Sequence, residues 1–139
     1  MRFMVIVKAT KDSESGVLPT REDLTAMGKF NEEMIKAGIM LAAEGLHASA
    51  KGSRITYSGG KATVIDGPFA ETKELVAGFW LIQTKSKEEA IEWIKRAPFT
   101  HGEEVEIRQV FEAEDFGDAA TPEMIEQERR FRAEAAAHQ

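Results

Sequence analysis

The chain has 139 residues, 42% of them hydrophobic and 30% charged, which fits one globular domain and leaves no room for two. There is no cysteine, so disulfides, thiol nucleophiles, thiolate zinc sites and iron–sulfur clusters are excluded. The formal net charge of -6 argues against nucleic acid as a partner, because phosphate binding rests on clustered Lys and Arg.

The apolar run after Met1 is too short for a signal peptide, and no run of about 18 apolar residues occurs. The expectation is a cytoplasmic protein without a membrane segment. Phe3 to Ala9 reads as a strand. Phe3, Val5 and Val7 point one way, and Met4 and Ile6 the other. Both faces are apolar, so both need a cover. Lys11 to Pro19 reads as a polar loop. Thr20 follows as an N-cap with Asp23 in capping-box register. Leu24, Met27, Phe30 and Met34 make the apolar stripe of a helix that Gly38 stops.

Ile39 to His47 reads as a second strand. Arg54 to Tyr57 and Lys61 to Ile65 are short strands around Gly59-Gly60, a two-residue loop that permits positive φ at both positions. Asp66-Gly67-Pro68 is a turn. Ala77 to Thr84 is a strand with apolar residues on both faces: Phe79 and Leu81 against Trp80 and Ile82. Ser86 and Glu89 repeat the capping-box pattern. Ala90, Ile91, Ile94 and Ala97 form the stripe of a second helix, which Pro98 ends. Val105 to Phe111 is the last strand. Thr121-Pro122 opens a third helix, with Met124, Ile125 and Phe131 as its few apolar anchors.

With the hairpin set aside, the order is βαββαβ, the ferredoxin-like split unit of an α+β fold. Two helices cover one sheet face. The other apolar face implies sheet-to-sheet packing in a two-fold homodimer.

Several polar residues are candidates for chemistry. Asp66 sits at a strand end, where a carboxylate is either a general base or a turn residue capping backbone N–H groups. His47 closes the second strand and is the natural acid–base group near neutrality, or a solvated strand end. Glu44 and Glu106 interrupt apolar strands, and Arg108 shares a strand face with Glu106. They are either an internal ion pair or a grip on a small anion. Arg54 and Lys73 are further candidates for holding an anionic or phenolic substrate. These acids and bases predict an interior polar cluster of Glu44, Asp66, Glu106 and Arg108 in the dimer. Trp80 and Trp93 read as core. The three histidines form no metal-ligand pattern, so neither a metal nor a cofactor is expected.

The run Asp66-Gly67-Pro68-Phe69-Ala70-Glu71-Thr72-Lys73-Glu74 resembles the signature of the DGPF branch of the YCII-related superfamily. Glu44-Gly45-Leu46, Gly78-Phe79-Trp80, the Glu88 to Pro98 helix and Glu106 to Glu112 agree with it in order and spacing. The resemblance covers residues 1 to about 118, leaving 119–139 as a helical tail. It implies a dimeric α+β barrel with a pocket between the sheet and its loops. Some relatives are small enzymes, including a dehydrochlorinase, that use a His–Asp pair. Here neither His47 nor His101 lies near the start of the first helix. The resemblance also implies a setting near extracytoplasmic-function sigma factors. Two readings follow. One is a cofactor-free lyase, dehydrohalogenase or isomerase acting on a small molecule. The other is a ligand-binding or regulatory module with a partner in a sigma-factor pathway.

Overall fold

The computed structural model describes residues 1–71 and 74–139. They divide into two compact units, Met1–Gln109 and Val110–Gln139. The first unit is built on a four-stranded sheet whose strands are β1 (Arg2–Lys8), β2 (Met40–Gly45), β5 (Val76–Gln83) and β6 (Val105–Gln109). Their order across the sheet is β2-β5-β1-β6, and every neighbouring pair is antiparallel. The intervening strands β3 (Ser53–Ser58) and β4 (Lys61–Asp66) form a separate exposed hairpin. Gly59 and Gly60 turn it with φ of 56° and 79°, the positive pair that a tight hairpin loop demands.

Helices α2 (Arg21–Lys36) and α3 (Lys87–Ile94) cover one face of the sheet. Phe30 and Met34 of α2 and Ala90 and Ile94 of α3 are buried with Phe3, Val5, Trp80 and Ile82. The ladder pairs Phe3 with Ile82 and Val5 with Trp80, so the two central strands present one continuous apolar surface to the helices. Strand alternation sends Met4, Ile6, Phe79 and Leu81 to the opposite face. None of these four belongs to the core cluster.

Several elements differ from the sequence expectation. The segment read as a loop after Ala9 contains a one-turn helix, α1 (Lys11–Glu14), because Thr10 and Ser13 cap each other reciprocally. Strand β2 ends at Gly45 rather than His47, although the Leu46 N–H still reaches the Ala77 carbonyl. The first helix begins as expected, but Leu24 is exposed and the buried stripe starts deeper in the helix. Glu89 accepts from the Lys85 N–H rather than closing a full box on Ser86. Trp93 is half-buried beneath the Arg96 guanidinium, 4.6 Å from its ring.

The second unit contains a 3-10 segment, Ala113–Ala119, and helix α4 (Pro122–Ala137) capped by Thr121. The last strand stops at Gln109, short of Phe111, whose ring stacks on Phe116 at 4.9 Å. Met124, Ile125 and Phe131 are not buried in this unit.

The Thr20–Asp23 box is the clearest local determinant of α2. The Thr20 backbone N–H donates to Asp23 at 3.0 Å, and the Asp23 N–H donates to the Thr20 hydroxyl. The Thr20 backbone N–H first, and the Thr20 hydroxyl second, hold the Asp23 carboxyl below its ordinary value of 3.8. Its contribution is therefore present above that pH and is lost as the pH falls through the lower folded value. Thr20→Ala is expected to cost about 1 kcal/mol in chemical denaturation. An NMR titration should show Asp23 rising only part of the way toward 3.8 in that variant, because the Thr20 backbone N–H, the larger cause, remains.

Candidate functional site

The Asp66-Gly67-Pro68-Phe69 turn is packed against the 3-10 turn Ser49–Lys51. A Cβ on Gly67 would lie 1.8 Å from the Ser49 carbonyl oxygen, so only glycine fits there. The Gly67 N–H donates to the Gly52 carbonyl, and the Phe69 N–H donates to the Ser49 hydroxyl at 3.0 Å. Ser49 in turn gives both its N–H and its hydroxyl proton to the Glu14 carboxylate, at 3.0 and 2.5 Å. Asp66 accepts from the Ser53 hydroxyl at 2.7 Å, and Arg54 sits 4.0 Å above the Phe69 ring. The motif thus ties three loops together: the α1 turn, the 3-10 turn and the end of the hairpin. Glu14 escaped sequence reasoning because it lay in a segment read as featureless loop.

The remaining predicted residues are dispersed. Glu44 is on β2 and Glu106 and Arg108 are on β6, the two edges of the sheet. Three strand spacings, about 14 Å, separate those edges. Within one chain, Glu44, Asp66, Arg54, His47 and Arg108 are exposed and Glu106 is half-buried. Glu106 lies between Lys8, at 3.4 Å, and Arg108, at 3.8 Å. The strand order therefore does not bring Glu44, Asp66, Glu106 and Arg108 together in a single chain. Lys73 lies outside the described residues. Among the described residues no group of three or more His, Asp or Glu side chains could hold a metal ion.

A cleft of about 250 Å³ opens instead on the helix side of the sheet. Its floor is a row of three paired residues, Val7, Gly78 and Gly45. Met27 and Asn31 of α2 form one wall, and Trp80 and Phe99 line the cleft beside them. Both floor glycines fall on the helix-facing side of the ladder, and the space left open at Gly45 is part of the cleft. Gly78 is dictated by the backbone: a Cβ there would meet the Glu44 carbonyl oxygen at 2.9 Å. Gly45 is different, because a Cβ there meets nothing within 4 Å. Trp80 is held by edge contacts with Phe30 and Phe99, at 5.8 and 6.0 Å, and its Nε1–H donates to Asn31 Oδ1 at 2.9 Å. Of the predicted site residues, Glu44 alone borders this cleft. A glycine isolated in an apolar strand was the available signal for close backbone approach.

A larger groove in the second unit, about 530 Å³, is lined by Phe111, Phe116, Met124 and Ile125 with charged neighbours. Neither of that unit's helical segments has a buried residue, so the groove lacks the rigid walls of the first cleft.

The YCII-related domain matches residues 1–114 of the chain. An uncharacterised protein of Rhizobium meliloti (strain 1021) is 34% identical over 73 residues, which are 52% of this chain and 56% of that protein. The chain thus spans about half the length of that relative. A solved structure of 5-chloro-2-hydroxyhydroquinone dehydrochlorinase from Burkholderia phenoliruptrix AC1100, in complex with 2,5-dihydroxybenzoquinone, is similar with a TM-score of 0.38 and 16% identity. That likeness covers 81% of this chain and 96% of the dehydrochlorinase chain.

The two glycines that abut backbone and the one that does not give opposite expectations. Gly67→Ala should destabilise the fold by at least about 2 kcal/mol, because backbone must move to admit the methyl group. Gly45→Ala should stay within about 1 kcal/mol of the native protein. Urea denaturation of the two variants side by side measures the difference.

Proposed function

The chain belongs to the YCII-related domain family, and on that premise we propose that it is a homodimeric, cofactor-free protein that acts on a small molecule held in the Gly45–Gly78 cleft. The observation that carries this reading is the cleft itself: an apolar recess against the rigid sheet, with one fixed polar side chain, Asn31. Its volume is below the ~300 Å³ at which drug-sized pockets begin, so the ligand is compact.

Two titratable residues flank the floor. Glu44 precedes Gly45, and His47 follows it by two residues. Within one chain neither side chain enters the cleft, because strand alternation turns Glu44 to the opposite face and His47 is not among the lining residues. No proton-transfer group is therefore assigned, and lyase, dehydrohalogenase or isomerase chemistry is carried as the proposed reaction class alone. Asp66 holds the Ser53 hydroxyl, while its neighbours Gly67 and Phe69 dock on the 3-10 turn region that follows His47. Arg54, Glu106 and Arg108 stand outside the cleft in this reading.

The dimer forms through the sheet face that carries Met4, Ile6, Phe79 and Leu81. Cross-strand neighbours on that face put apolar residues at the centre, with Glu44 at one edge and Glu106 and Arg108 at the other. An apolar centre with a polar rim suits an interface.

Two measurements test the proposal. Sedimentation should give twice the 15.4 kDa chain mass, and Leu81→Arg should halve it. A native protein that sediments as one chain removes the dimer. A thermal-shift screen of compact molecules should give at least one hit. A ligand at 100 times its Kd stabilises by about 2.7 kcal/mol, a rise of several degrees. Gly45→Leu should abolish the shift while leaving the protein folded. No hit in the folded native protein, or hits that survive Gly45→Leu, would end the cleft reading.

A further inference from the structure

The polarity of the cleft points to the class of molecule it takes. Trp80 fixes this polarity through Asn31. An indole nitrogen is a donor only, so the atom of Asn31 that faces it is the carbonyl oxygen. The amide nitrogen of Asn31, with two N–H donors, is the other end of the same rigid group. Among the described residues it has no protein partner. Asn31 is among the residues that line the cleft, and with its oxygen taken by Trp80 its amide N–H is the group its side chain has left for a ligand there.

Charge narrows the class further. The lining contains no Lys, Arg or His among the described residues, and Glu44 is its one ionisable member. Strand alternation sends the Glu44 side chain to the opposite face, beside Phe79, so no charge of either sign projects from the floor. Placing an anion here would strip its hydration with no cation to replace it. Shape supplies the last limit. Bare backbone at Gly45 and Gly78 makes a flat floor, and Met27, Trp80 and Phe99 offer polarisable or aromatic contact.

We propose that the cleft selects a neutral, planar ring compound bearing an acceptor oxygen, which the Asn31 amide N–H engages, and that it rejects the corresponding anion. This rests on the small-molecule reading above and adds what that reading leaves open: polarity and charge. Asn31 is then the specificity-determining residue.

Four compounds of similar size serve as probes: acetophenone, 1-phenylethanol, ethylbenzene and benzoate. Binding is followed by NMR on the Trp80 indole N–H, which reports from inside the cleft. Acetophenone should bind the native protein roughly three- to tenfold tighter than ethylbenzene, the worth of one hydrogen bond. Benzoate should be the weakest of the four.

Asn31→Asp keeps an oxygen for the Trp80 N–H and replaces the N–H donor with an acceptor. Acetophenone should then lose its advantage, and 1-phenylethanol, which can donate, should overtake it. Equal binding of acetophenone and ethylbenzene to the native protein would overturn the acceptor claim while leaving the cleft as a binding site. Benzoate binding as tightly as acetophenone would overturn the neutrality claim. If no probe moves the Trp80 signal, the cleft reading itself fails. The native-protein comparisons decide the proposal even where Asn31→Asp does not fold.

Discussion

The pairing of β1 with β5 at the centre of the sheet governs the rest of the first unit. Each of these strands is apolar on both faces, and their register sets Phe3 against Ile82 and Val5 against Trp80. One face is buried by two helices that return across it, as the split β-α-β order requires. Burying a large side chain such as Phe3 or Ile82 contributes about 1.5–3 kcal/mol, so this face outweighs any surface ion pair in holding the fold. A one-residue slip would exchange the two faces of β1 completely. The register is therefore tightly set wherever Phe30 and Met34 must meet Val5 and Trp80.

Much of this was legible in the chain. The Thr20–Asp23 box, the Gly59-Gly60 hairpin, the Ser86 and Thr121 caps and the two-faced strands are local patterns whose cause lies within a few residues. Local causes survive into the fold because tertiary packing agrees with them. Element ends were less legible. Val105 to Phe111 reads as one apolar strand, yet Phe111 stacks on Phe116, a pairing that alternation alone does not reveal. The α1 turn was hidden because Thr10 and Ser13 look like ordinary loop residues until both are seen to cap.

The site was less legible still. The nine-residue motif drew attention to Asp66, but the contacts of that motif are those of a clasp: a glycine without room for a methyl group, a serine shared by Glu14 and Phe69, and a carboxylate on Ser53. Charged residues that interrupt apolar strands suggested a shared interior. The strand order puts them on opposite edges instead. Sequence reasoning looks for chemistry in side chains, whereas this cleft is made by their absence at two positions 33 residues apart, Gly45 and Gly78, which only the β2–β5 ladder brings together.

Those two glycines have different physical reasons. At position 78 the close approach of the β2 backbone leaves no alternative. At position 45 a side chain would meet no neighbour within 4 Å, and the residue lies on an edge strand where β-formers are favoured. Gly45 is the last residue of β2, and alanine there would lose less conformational freedom on folding than glycine does. The fold alone therefore does not ask for glycine at 45. What glycine supplies there is the open floor beneath Met27, Asn31 and Phe99. A local departure from the rule that strands avoid glycine, with no packing reason behind it, is the kind of inconsistency that marks a functional position. The proposed site rests on Gly45 and the Trp80–Asn31 bond: one leaves the floor open, and the other occupies the Asn31 oxygen.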